Sequence, residues 1–249
     1  MKKLTLTAAV LLGSLFSVHA CDKCQSYSGS PDFKIASAKV VHNAATGTLD
    51  FEMTVDGTAG KTQPTPGGSL DKAPVLAYVF ITTLKPEDIG FAAGDGIVAL
   101  ALTSHPDFDD SPLWDENTDG NYDNDGLTWH PHWVVLVKDT RVKGGFSVKE
   151  HAKAETVTKP KTAPAMPMYM DSPGFPVVTA GQKITVSVPA YRINNKTDFK
   201  FDALTCYLEV SAPAGEMNMN MPMPMLGVYN VFSILSKDLS IPYAVESKK

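Results

Sequence analysis

The segment Thr48-Leu-Asp-Phe-Glu-Met-Thr-Val-Asp56 decides the fold class. Leu49, Phe51, Met53 and Val55 alternate with Thr48, Asp50, Glu52, Thr54 and Asp56. That period of two belongs to a strand with one face in a core and the other in water. Ile184, Val186 and Val188 alternate in the same way, as do Leu204, Cys206, Leu208 and Val210, which turns Cys206 toward the core. Continuous apolar runs at 75–81, 97–102 and 134–137 predict strands buried on both faces. Further strands are expected at 33–41, 175–179 and 228–235.

Turn chemistry separates these runs: Asp56-Gly57, Pro66-Gly67-Gly68, Gly94-Asp95-Gly96, Gly144-Gly145 and Ala180-Gly181. No amphipathic stretch of helical period exceeds two turns. Residues 153–173, rich in lysine and proline, read as a long excursion over the surface. The expectation is an all-β chain: an antiparallel β-sandwich, Greek-key or jelly-roll-like, with long loops and a single domain over residues 21–249.

Residues 1–20 have the form of a signal peptide. Lys2 and Lys3 precede an apolar run from Leu4 to Phe16, and Val18-His-Ala20 ends in a small residue. The expected location is therefore outside the cytoplasm, in a periplasm, at a cell surface or secreted. No later run of about 18 apolar residues predicts a transmembrane helix. A lipid anchor at Cys21 is the alternative fate of the cleavage site. Cys24 is expected to pair with Cys206 or with Cys21, because exported chains keep disulfides. The net charge of −5, without a basic cluster, argues against a nucleic-acid surface.

The chemistry concentrates in residues 105–133. Asp115-x-Asn117-x-Asp119-Gly120 has the start of a calcium-binding loop, with Asp123 or Asp125 to close it. The glutamate expected at the twelfth position is replaced by Gly126. His130-Pro-His132 follows directly. On an extended chain residues i and i+2 face the same way, so both imidazoles meet one metal ion. His105, just past a buried strand, is the third candidate ligand.

Eight of the ten methionines lie in two clusters, Met166/Met168/Met170 and Met217/Met219/Met221/Met223/Met225. Thioethers are soft donors that select Cu(I). Together with the histidines they predict copper, as Cu(I) or Cu(II), with Ca2+ bracing the acidic loop. Met-rich, His-containing exported chains resemble bacterial periplasmic copper-handling proteins. The tryptophan-flanked histidines of residues 105–133 also resemble the CorA/MopE-type surface-associated copper proteins. That resemblance implies a copper ligand at His130 or His132, and Trp129 or Trp133 as the residue oxidised to kynurenine.

The expected function is copper sequestration or delivery, with a copper-donating or copper-accepting protein as partner. A calcium-dependent recognition module, adhesin or carbohydrate binder, is the alternative, and a metal-dependent hydrolase a third. No nucleophile elbow, HExxH, phosphate loop or dinucleotide fingerprint supports an enzyme.

Overall fold

A computed structural model describes residues 22–152, 155–212 and 222–248. The expected signal peptide, Cys21 and the methionines at 217, 219 and 221 lie outside the described residues. The strands in chain order are β1 Ile35–Asn43, β2 Thr48–Val55, β3 Pro74–Thr82, β4 Ile97–Ser104, β5 His130–Lys138, β6 Phe146–Val148 and β7 Met170–Asp171. They continue as β8 Val177–Ala180, β9 Lys183–Pro189, β10 Lys200–Val210, β11 Leu226–Ile234, β12 Tyr243–Ala244 and β13 Glu246–Lys248. Among the described residues, helix is confined to turns of three or four residues.

The chain is all-β, as its alternation predicts. The sandwich expectation needs revision. One sheet has five strands in the order β13-β1-β2-β9-β8. The other runs β11-β6-β5-β4-β3-β10-β12, and β10 also pairs with β11. Strands β3, β4, β5, β6, β11 and β10 therefore close into a six-stranded barrel. Closure removes exposed edges, which the long central strands would otherwise present.

The same period of two sorts side chains into two cores. From β3, Leu76, Tyr78 and Phe80 join Val98, Leu100, Leu102, Trp133 and Val135 on the outside of the barrel. Against them the five-stranded sheet sets Leu49, Phe51, Met53, Ile184, Val186 and Val188. The intervening residues Val75, Ala77, Val79, Ile81, Ala99, Ala101, Val134 and Leu136 point into the barrel. Apolar runs in the sequence are thus strands with a core on each side.

The two cores differ in composition. Aromatic rings dominate the first: Phe51 meets Phe80 edge-on at 5.3 Å and Trp133 edge-on at 6.1 Å between centroids. Tyr78 closes one end of it, donating to the Asp32 carbonyl at 2.9 Å and accepting from Gly60 N–H at 3.0 Å. Burial pushes its phenol well above the ordinary range. The barrel interior is aliphatic, with the thiol of Cys206 among its side chains.

Cysteine pairing is corrected in part. Cys24 is disulfide-bonded, whereas Cys206 is a free thiol, buried and raised to about 12 by desolvation. A Cys24–Cys206 bridge is therefore excluded, because Cys206 sits on β10 facing the barrel interior. Residues 153–173 are also more than a surface excursion: β7 pairs with β5, and Met168, Met170, Asp171 and Ser172 are buried.

Phe51 joins the sheet to the barrel, so Phe51→Ala should cost about 3–5 kcal/mol. Denaturant unfolding measures this; a loss below about 1 kcal/mol would show that the two layers do not depend on each other.

Candidate metal centre

Strand β5 opens at His130, and its alternation aims His130 and His132 at the same side as Val134 and Leu136, into the barrel. Pro131 is accommodated where the strand begins. β4, antiparallel beside it, pairs Thr103 with His130 and Ala101 with His132, and ends at Ser104. His105 is the next residue, so the topology delivers a third imidazole to the same end of the barrel. Five residues on, Asp110 turns back into the cluster.

All four side chains are buried, with at most 5% exposure. Asp110 Oδ1 lies 3.4 Å from His105 Nε2, 3.4 Å from His130 Nε2 and 3.2 Å from His132 Nε2. His105 Nε2 and His130 Nε2 are 2.9 Å apart. Ligands about 2.0–2.1 Å from a tetrahedral ion are separated by about 3.3 Å along each edge. The four separations above lie near that value, and all four candidate ligand atoms lie within 4.8 Å of one another, close enough to gather around a single ion.

The far side of each ring fixes its tautomer. His105 Nδ1 donates to the Phe108 carbonyl at 2.9 Å, and His130 Nδ1 to the Thr128 carbonyl at 2.5 Å. A carbonyl only accepts, so the proton sits on Nδ1 in both. His132 Nδ1 meets Ser172 Oγ at 3.1 Å, and that hydroxyl gives its own proton to the Asp110 carbonyl at 2.7 Å. It too is left to accept. Each neutral ring therefore turns a bare Nε2 lone pair toward Asp110. Second bonds of this kind orient metal-binding histidines. His132 Nε2 and Asp110 Oδ1 are buried without a hydrogen-bond partner.

Electrostatics agree. Burial opposes charge on Asp110, yet His132 and His105 hold its carboxyl well below the usual range. Burial also opposes charge on His130, but the neighbouring Asp110 raises its pKa. For His132 burial prevails and the pKa is lowered.

The acidic loop supports this centre mechanically. Gly126, at the place of the missing glutamate, leaves no room for a side chain: a Cβ would stand 2.2 Å from the His105 carbonyl and 2.3 Å from that of Phe108. His105 N–H donates to the Gly126 carbonyl at 2.6 Å, and the imidazole stacks on Phe108 at 4.1 Å. Within the loop, Asp115 accepts from the N–H groups of Asp119 and Gly120, and Asn117 from that of Asp119. Asp119 accepts from Asn121 N–H and the Asn124 amide. Asp123 N–H donates to Asn121.

Of the five residues expected to hold calcium, Asp125 alone joins a tight carboxylate group, with Asp109 and Glu116. Both Glu116 oxygens are buried without a hydrogen-bond partner, and desolvation raises that carboxyl to about 7.

The methionines lie elsewhere in part. Met168, Met170 and Met225 are buried in the barrel core, with Met166 packed against it and Met223 half-buried. Trp129 and Trp133 belong to the core between barrel and sheet, Trp133 on the face of β5 opposite the histidines and Trp129 just before the strand. Sequence reasoning missed Asp110 and Ser172. Asp110 had a signal, sharing the short His105-Pro-Asp-Phe-Asp-Asp110 turn; Ser172, distant in the chain, had none. No family model matches this sequence, and neither a curated protein nor a solved structure is similar to it.

Ser172→Ala should weaken metal binding by about 10–100-fold while leaving one site per chain, because His132 loses its orienting acceptor. Competition titration against a chromophoric chelator reads this, and unchanged affinity would remove Ser172 from the centre. For Glu116, a folded pKa raised above the unfolded value means a stability contribution present at low pH and lost as pH rises through about 7. In chelator-treated protein, Glu116→Gln should flatten that part of the stability–pH curve; an identical curve would contradict the burial argument.

Proposed function

We propose that this chain is an exported metal-binding protein that holds one divalent transition-metal ion, copper(II) foremost, at His105, Asp110, His130 and His132. The observation that carries the reading is the set of three Nδ1 protons committed to fixed acceptors, which leaves three Nε2 lone pairs and a carboxylate oxygen around one point. Lone pairs in that arrangement repel one another until a cation joins them.

Imidazole nitrogen and one carboxylate form a borderline donor set. It disfavours calcium and magnesium, which take all-oxygen shells, and among first-row divalent ions it binds Cu2+ most strongly. Zinc is the second reading, favoured by a donor set of three imidazoles and one carboxylate gathered around one point. Four protein ligands at the end of a buried cluster suit retention of the ion, hence sequestration or handover to another copper protein.

Met217, Met219 and Met221 remain the chemical candidates for Cu(I) capture, since Met168, Met170 and Met225 are explained by packing. Asp109, Glu116 and Asp125 are the oxygen donors to which calcium would be assigned, in place of Asp115, Asn117, Asp119 and Asp123.

Untagged protein freed of metal should take up one equivalent of Cu2+ or Zn2+ in a calorimetric titration. At 100-fold excess over the dissociation constant, binding should stabilise the fold by about 2.7 kcal/mol. His130→Ala/His132→Ala should abolish both effects. Uptake unchanged in that double variant would move the site elsewhere, and absence of uptake in the wild type would end the proposal.

A further inference from the structure

The barrel encloses a cavity of about 110 Å³. Its wall is aliphatic, with Val79, Ala101, Val134, Leu208 and Val228 among the lining residues. Among the described residues the polar lining is Thr103, His105, Asp110 and His132, so three of the four proposed metal ligands face this space. His130 does not line it. An ion among the four ligands therefore has apolar space beyond it on the side away from His130.

We infer that the barrel interior binds a small monoanionic molecule with an apolar body, a short-chain carboxylate in its chemistry, whose head group adds a further ligand to the metal. This rests on the metal reading above. Charge selects the head: a divalent ion and the Asp110 carboxylate leave one positive charge in a buried, aliphatic setting, and one anion neutralises it. The wall selects the body. Apolar cavities of comparable size stay dry and take molecules on the scale of benzene, so the body is no larger than that. The buried, unpartnered Asp110 Oδ1 and His132 Nε2 mark where head group and ion meet.

The route inward is at the other end of the barrel. Register places the histidines at the end of β4, and the residues preceding β12 beside its beginning. There Leu239 and Ile241 line the cavity. Both are only partly buried, and Lys237, Leu239 and Ile241 have left-handed backbone, with φ of 76°, 57° and 54°. A β-branched residue such as Ile241 rarely adopts that conformation, so this strap is held under strain over the cavity mouth.

The test uses Co2+ as the resident ion, because its visible spectrum reports added ligands. The Co2+-loaded full chain is titrated with acetate, which has the head group alone, and with butanoate, which adds two methylenes. Butanoate should change the spectrum and bind about tenfold or more tighter than acetate, each buried methylene contributing about fourfold. Val79→Phe and Leu208→Phe, which fill the cavity from different strands, should retain one Co2+ and lose butanoate binding at least tenfold. Equal affinity for acetate and butanoate, or undiminished butanoate binding in a folded filled variant, would overturn the inference. So would a silent spectrum in protein that holds one Co2+, and the metal reading would then survive alone. If Co2+ is not taken up at all, both fall together.

Discussion

Three hydrogen bonds on the outer side of the histidine cluster determine what its inner side is. The carbonyls of Phe108 and Thr128 and the hydroxyl of Ser172 each accept a hydrogen bond from one Nδ1–H. None of them has a proton to return, because the hydroxyl's own goes to the Asp110 carbonyl. The rings are fixed in orientation and tautomer before any ion arrives. In a buried setting the resulting convergence of lone pairs has a large electrostatic cost unless a proton or a metal ion neutralises it. The raised pKa of His130 and the lowered pKa of His132 express that competition.

The scaffold explains how such a cluster is held. β4 and β5 are central barrel strands with a core on either side, so the ends that carry His105, His130 and His132 have little freedom. Gly126 lets the acidic loop press against the His105–Phe108 turn, and Ser172 ties the segment after β7 to both His132 and Asp110. The loop first attracts notice for its carboxylates, but its best-defined service to the centre is steric. It contributes a close backbone approach that a glutamate at position 126 would prevent.

Much of the fold was legible because period-two alternation survives into the structure. Leu49 to Val55 and Ile184 to Val188 face one core, and β3 to β5 read as continuous apolar runs because they face two. Closure into a barrel was not legible. It depends on β10 pairing with both β3 and β11, a long-range choice that leaves no local pattern. At the site, the His-x-His spacing and the position of His105 after a strand sufficed for three ligands. Asp110 was obscured by the many carboxylates around it, and the methionines misled where spacing alone stood in for burial. Met168 and Met170 alternate because the chain is extended there, bridging Glu150 at Met168 and β5 at Met170, with both side chains in a packed core.

X-ray absorption at the metal edge of protein purified without a tag from an exporting host tests the central claim most directly. The account predicts about one metal ion per chain, with a shell of three imidazole nitrogens and at least one oxygen at about 2.0–2.1 Å. A shell dominated by sulfur at about 2.3 Å, or oxygen donors without imidazole, would contradict it.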